Sequence, residues 1–221
     1  MNMKKSLIIL VVVSSLLFTA SIACAQTGKP TPQIDVTNKV LKLPEPRKTG
    51  GIPTLEAIEN RASPLGAQFP TGAISQEELS TLLWAASGRN RGGNGWTVPT
   101  AIGMDPYVSV YVASKDGMFL YNGKEHALEQ LSSSDVRANV TSQSFAHAAP
   151  YILIFVTNGK SGGAAFGQAL AGAMTQNIYL AAQSLGIGAR FMATMNQDFV
   201  RKELKLAGED VPVNIMPLGK K

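Results

Sequence analysis

The sequence predicts an α+β fold, and three observations predict it. Helical and strand patterns are interspersed without the regular alternation of a doubly wound parallel sheet. A period-two stretch reverses at a tight turn: Val108, Val110 and Val112 alternate with Ser109, Tyr111 and Ala113, and Lys115-Asp116-Gly117 then leads into Met118 to Tyr121, an antiparallel hairpin. Tyr151 to Thr157 is a continuous apolar run of strand length with no polar face, which suits the middle of a sheet. The expected architecture is a sandwich: a central, mostly antiparallel sheet flanked by helices.

The elements follow in order. Residues 1–25 read as a signal peptide, with a basic start at Lys4 and Lys5, an uncharged apolar run from Ser6 to Ile22, and Ala23-Cys24-Ala25 before Gln26. A second reading takes Ser21-Ile22-Ala23-Cys24 as a lipoprotein signal that would tether the chain to a membrane through Cys24. Residues 26–53 carry Pro30, Pro32, Pro44, Pro46 and Pro53, which interrupt any period, and read as a tether or draped arm. The folded domain is expected over 54–221. Thr54 is expected to cap a helix through Arg61, with Leu55 and Ile58 inward. Ser75-Gln76-Glu77-Glu78 is a capping box, and Leu79, Leu82, Leu83 and Ala86 give the buried stripe of a helix from Gln76 to Ala86. Ser87 to Gly95 is loop, rich in Gly, Asn and Arg. After the hairpin, Ser134 to Ser142 is expected as a helix. Gly162 to Leu185 is a long helix with Phe166, Leu170, Met174, Ile178, Ala181 and Leu185 on one face. Ile187 to Ala193 is a strand, Gln197 to Leu206 a helix capped by Asn196, and Val211 to Leu218 a final strand.

Composition narrows the function. With 45% hydrophobic and 16% charged residues among 221, the chain is neither collagenous, coiled-coil nor strongly disordered. Of its 20 Lys and Arg, Lys4 and Lys5 fall in the expected signal, so 18 basic residues face 15 acidic ones. That balance suits an anionic ligand and gives no sign of a nucleic-acid partner. Cleavage after Ala25 removes Cys24, the one cysteine, and with it any disulfide, thiol nucleophile or Cys-held metal. His126 and His147 have no HExxH-type carboxylate spacing, so no metal site is expected.

Several motifs fail on context. Gly159-Lys160-Ser161 lacks the first glycine of a P-loop, because Ile154 stands there inside the strand. Gly159-Lys160-Ser161-Gly162-Gly163 satisfies G-x-S-x-G between strand and helix, making Ser161 a candidate hydrolase nucleophile, yet both histidines precede it. Gly186-Ile187-Gly188 runs from helix to strand, the reverse of a dinucleotide fingerprint, and Phe191 occupies its third glycine position.

An ordered set of features remains. Arg61-Ala62-Ser63 places a guanidinium and a hydroxyl two residues apart, a pair able to hold phosphate. Pro99-Thr100-Ala101 is a rigid turn ending in small residues. Together with Glu78 to Gly88 (ELSTLLWAASG), Asn177 to Gly188 (NIYLAAQSLGIG) and Met216-Pro217-Leu218-Gly219, they resemble, in order and content, the nitroreductase family of flavoproteins, and within it the SagB-like dehydrogenase branch. The resemblance spans Thr54 to Lys221. It implies FMN held non-covalently at the interface of an intertwined homodimer. By that resemblance Arg61 and Ser63 bind the FMN phosphate with Lys220 assisting. Pro99, Thr100 and Ala101 lie along the ring, and the backbone at Ala193 and Thr194 donates toward its N5 and O4 edge. Ala62 departs from the family's R-R-S, Thr100 replaces Ser, and only Lys220 and Lys221 follow Gly219 where many relatives carry a basic tail. No catalytic side chain is then required, because the flavin carries the redox chemistry. Three readings stand: an exported, periplasmic FMN-dependent oxidoreductase acting on a nitroaromatic or quinone-type substrate; a non-catalytic binder of flavin or another planar ligand; and a serine hydrolase using Ser161.

Overall fold

The structure is a computed structural model that describes residues 40–100, 104–159 and 163–221. In chain order its elements are β1 (Val40–Lys42), α1 (Thr54–Asn60), α2 (Gln76–Ser87), β2 (Arg89–Asn90), β3 (Gly95–Trp96), β4 (Val108–Ser114), β5 (Gly117–Asn122), β6 (Ala127–Ser132), α3 (Arg137–Val140), β7 (Tyr151–Thr157), α4 (Gly163–Leu185), β8 (Ile187–Ala189), α5 (Gln197–Glu203) and β9 (Val211–Lys220). One sheet of seven strands runs in the order β1-β6-β5-β4-β7-β9-β8. Every neighbouring pair in it is antiparallel.

Both faces of the sheet are covered, which explains the unbroken apolar run of β7. Leu153 and Phe155 point to one side, into a core with Leu82 and Leu83 of α2 and Met174 and Ile178 of α4. Ile152, Ile154 and Val156 point to the other, against Val140 of α3, Val200 of α5 and Ala146. A strand buried on both faces needs no polar alternation. The capping box of α2 forms as expected: Ser75 Oγ accepts from the Glu78 amide, and the Glu78 carboxylate accepts from the Ser75 amide.

Several expectations are corrected. Val40–Lys42 pairs with β6, and Leu43 lies in the core, so the folded unit begins before Thr54 and the latter part of the supposed tether belongs to the sheet. Pro53, not Thr54, occupies the cap position of α1 and supplies no side-chain hydrogen bond. Only Ala57 of α1 is buried; Leu55 is 80% and Ile58 50% exposed, because a helix this short buries a single stripe, and that stripe is the one holding alanine. Phe166 of α4 is likewise 62% exposed. The Ser134–Ser142 helix shrinks to Arg137–Val140, since Thr141 is extended and its hydroxyl donates to the Thr194 carbonyl at 3.1 Å. The strand from Ile187 ends at Ala189, and the loop of Ser87 to Gly95 contains the small hairpin β2–β3.

The stretch between α1 and α2 crosses the β8–β9 edge. Gly72 exchanges backbone hydrogen bonds with Lys220, its amide donating at 3.2 Å and its carbonyl accepting at 2.9 Å. The crossing is close enough that a Cβ at Gly219 would stand 1.8 Å from the Pro70 carbonyl oxygen, and one at Gly188 would stand 2.4 Å from the Pro70 ring. Gly188 of the LGIG stretch and Gly219 of the PLG stretch are therefore sites of close approach by the crossing chain. They let the chain carrying Arg61 and Ser63 lie flat on the sheet edge.

Candidate functional site

The crossing segment delivers its polar groups to Tyr179, on the flank of α4. Ser63 Oγ and Tyr179 Oη are 2.6 Å apart, and the Tyr179 oxygen also accepts the Phe191 amide at 2.7 Å. The Arg61 guanidinium stands over the Tyr179 ring, 5.0 Å from its centre. Arg190 reaches back from the end of β8 to donate to the Pro64 carbonyl at 2.5 Å and covers the Phe145 ring at 5.4 Å. One buried tyrosine thus ties the Arg61–Ser63 pair to the loop that follows β8.

That loop is anchored at both ends and open between them. Met192 exchanges two 2.9 Å backbone hydrogen bonds with Ile215 of β9, and the Asn196 amide donates to the Val140 carbonyl at 2.8 Å. Between these anchors Ala193 and Thr194 are exposed, and their amides donate to no group among the described residues. Arg61 is half-buried, Ser63 is exposed, and Arg61 forms no ion pair among the described residues. Arg61 and Ser63 therefore present a cation and a hydroxyl with no ion-paired carboxylate among the described residues, and the loop beyond Phe191 presents two amide donors. Such a set suits an anion with an acceptor-rich appendage.

Lys220 is corrected. Its ammonium is paired with the Glu78 carboxylate, so it is not free for a phosphate. Burial alone would push the Glu78 carboxyl up; the Lys220 ammonium and the Ser75 amide outweigh it and hold the group below the ordinary carboxylate range. A phosphate there would meet the charge of Glu78 as well as that of Lys220.

Pro99 and Thr100 lie elsewhere on the chain. They line an open cavity of about 790 Å³ with β2, β3 and the turn between them. The turn leaves from Thr97, whose carbonyl accepts from Asn177 Nδ2 at 3.0 Å; the same amide nitrogen donates to the Ala85 carbonyl at 3.1 Å. Asn177 and Tyr179 are two residues apart on α4 and so point about 200° away from each other around the helix. The structure fixes Ser63 and the Phe191 amide on one hydroxyl, that of Tyr179, and holds the Thr97 carbonyl, from which the Pro99 turn leaves, on the opposite flank of α4. Ala101 and Ser161 lie outside the described residues.

Sequence reasoning missed Tyr179 and Arg190. Tyr179 sits inside the quoted NIYLAAQSLGIG stretch, and its signal was its place on α4: residues 178 and 179 adjoin on the buried arc, and an aromatic hydroxyl there needs polar partners.

The model of the Nitroreductase family matches residues 68–220. A provisionally named nitroreductase of Methanocaldococcus jannaschii is 27% identical over 170 residues, covering 70% of this chain and 85% of that protein. The crystal structure of a provisionally named nitroreductase from Ralstonia eutropha is 30% identical, covers 87% of this chain and 94% of that one, and superposes with a TM-score of 0.73. An FMN-dependent nitroreductase of Clostridium difficile shares the fold at 15% identity and a TM-score of 0.55, covering 76% of this chain and 87% of its own. A sheet of this order and a family match over most of the folded part lead to one conclusion: the chain belongs to the nitroreductase family of flavin-dependent oxidoreductases.

Proposed function

We propose that the chain is an exported FMN-dependent oxidoreductase, of the SagB-like branch, that works as a homodimer on a small planar or conjugated substrate of the nitroaromatic or quinone type. The observation that supports the reading is the Ser63–Tyr179–Phe191 connection, which fastens the segment of Arg61 and Ser63 to the start of the loop that leads to Ala193 and Thr194. The residues present fit FMN: an uncompensated guanidinium and a hydroxyl for its phosphate, and amide donors for the polar edge of its ring. When bound, FMN supplies hydride and electron transfer. The chain's own residues bind and orient it. Arg61 and Ser63 hold the phosphate, and the amides of Ala193 and Thr194 favour negative charge on the ring edge, as fixed donors do.

The homodimer follows from two features. Thr97, from which Pro99 and Thr100 lead off, and the Ser63 hydroxyl are fastened to opposite flanks of α4, so a ring touched by both Pro99–Thr100 and Arg61–Ser63 would take one of them from a second copy of the chain. Leu55, Ile58 and Phe166 leave apolar surface on α1 and α4, and a second copy would cover it. Export rests on residues 1–25 and tethering on Cys24; both lie outside the described residues. The mass of the mature chain decides between a start at Gln26 and a lipid on Cys24.

The test is colour and turnover. Purified protein should absorb at flavin wavelengths or become yellow on adding FMN, and the photoreduced protein should be re-oxidised by a quinone or nitroarene. A colourless protein that takes up no FMN overturns the reading. A yellow one that stays reduced under both oxidants is a binder without turnover. Ser161→Ala should leave re-oxidation unchanged, and loss of an esterase activity in that variant would support the hydrolase reading instead.

A further inference from the structure

The cavity lined by Pro99 and Thr100 has a second wall whose side chains the proposed flavin site leaves unassigned. Its wall is the β2–β3 hairpin, which sets two arginines in place. The Arg89 guanidinium is stacked over the Trp96 ring, 4.1 Å from its centre. The Trp84 indole N–H donates to the Arg89 carbonyl at 2.8 Å, which holds the backbone at that point. Arg91 is folded over Gly95 so closely that a Cβ there would stand 1.8 Å from its guanidinium nitrogen. The turn that achieves this has positive φ at three successive residues, Arg91 at 47°, Gly92 at 66° and Gly93 at 91°. A non-glycine residue in that region is uncommon, and such strain gathers at binding sites.

Neither arginine is neutralised. Among the described residues neither forms an ion pair, and the one lining carboxylate, Asp105, is taken by Lys124 at 2.6 Å. A third group points to a ligand as well. Asn90 also lines the cavity, and its side-chain oxygen is buried without a hydrogen-bond partner among the described residues. Buried acceptors are normally satisfied, so this one awaits an N–H or O–H. The wall therefore offers two guanidinium forks, a flat stacked surface of Arg89 on Trp96, and one unsatisfied acceptor.

We propose that this cavity is the site for a planar aromatic acid that also carries a hydroxyl or amino group. The carboxylate lies on Arg89 and Arg91, the ring against the Arg89–Trp96 stack, and the donor on Asn90 Oδ1. Arginine forks match a carboxylate with two parallel hydrogen bonds. The proposal goes beyond the oxidoreductase reading: it names a ligand class for a second site on the chain and does not rest on that reading.

The test is calorimetric titration of the protein without added FMN, using 4-hydroxybenzoate, its uncharged amide 4-hydroxybenzamide, and benzoate. The expected result is saturable binding of 4-hydroxybenzoate, at least tenfold tighter than the amide and several-fold tighter than benzoate. Arg89→Gln and Arg91→Gln should each weaken 4-hydroxybenzoate at least tenfold while leaving FMN affinity within twofold. Arg91 lies on an exposed turn, so its variant should keep the wild-type melting temperature and serve even if Arg89→Gln destabilises the hairpin. Equal affinity for acid and amide, or an Arg91→Gln variant that binds the acid as the wild type does, overturns the proposal. Loss of FMN affinity in Arg91→Gln also overturns it, by assigning the arginine to the flavin. Saturable, Arg91-dependent acid binding by a protein that takes up no FMN would sink the flavin reading and leave this site standing.

Discussion

Replacing Tyr179 by Phe removes a single oxygen, and the structure says what that oxygen holds. It contacts Ser63 Oγ at 2.6 Å and accepts the Phe191 amide at 2.7 Å, while the ring beneath Arg61 is kept. Each such bond contributes about 0.5–1.5 kcal/mol net. Ser63 is exposed and water can serve it, so the two together are worth about 1–2 kcal/mol. In a folded unit of this size that is a fall in Tm of about 2–8 °C. The same loss frees Ser63 and the loop of Ala193 and Thr194 from their common anchor, which should raise the FMN Kd about 5–30-fold. Tyr179→Leu also removes the ring beneath Arg61, a cation–π contact of about 0.5–1 kcal/mol at an exposed site, and should raise Kd a further 2–5-fold. Flavin fluorescence quenching gives Kd, and calorimetry or circular dichroism gives Tm. A Tyr179→Phe protein with wild-type Tm and FMN affinity would refute the idea that this hydroxyl organises the site.

Arg61→Ala should weaken FMN by about 1.5–3 kcal/mol, the worth of one charge-assisted phosphate contact, with the Tm of the FMN-free protein little changed; a fluorescence titration reads it. Lys220→Ala should leave FMN affinity within twofold, because its ammonium is engaged by Glu78, and the same titration checks it. Gly219→Ala should destabilise by about 1–3 kcal/mol, since its Cβ would meet the Pro70 backbone, whereas Gly208→Ala, which meets nothing within 4 Å, should be neutral; thermal melts compare them. His126 has its pKa lowered by burial, against the Pro44 carbonyl that favours its charged form. The unfolded chain then takes up a proton first, so stability should be full above pH 6.5 and fall as pH drops from there toward the folded value, a dependence that His126→Asn should flatten in denaturant titrations followed against pH.

Much of the fold was legible because local rules and burial agreed. The capping box at Ser75, the period-two hairpin of Val108 to Tyr121 and the two-sided apolar run of Tyr151–Thr157 each state their structure in their own residues. Val40–Lys42 did not. Three residues among prolines show no period, and the strand exists because β6 offers it an edge. Its anchorage is tertiary too: Ser80 Oγ donates to the Pro44 carbonyl at 2.5 Å and lies 2.7 Å from His126 Nε2, while Tyr121 Oη is 2.9 Å from His126 Nδ1. Leu55 and Ile58 misled for the opposite reason. Apolar spacing on a short helix reports that a face will be covered, but not whether the cover comes from its own chain.

The site shows the same division between what a sequence states and what only packing decides. Arg61 and Ser63 could be picked out as a phosphate-type pair because both groups sit in three consecutive residues. Lys220 was assigned by resemblance to the family, and a resemblance in sequence cannot reveal that Glu78, 142 residues earlier, pairs with it. Tyr179 was invisible because its role requires three segments to meet, and what lets them meet is an absence of side chains. Gly188 and Gly219 open the sheet edge to Pro64 and Pro70, the crossing chain settles there, and only then does Ser63 reach the hydroxyl that also takes the Phe191 amide. Gly188, which looked like part of a misplaced dinucleotide motif, and Gly219 thus act on the site through the chain that crosses them. A bulkier residue at either position should lift Ser63 from Tyr179 before it disturbs any group that would touch the cofactor.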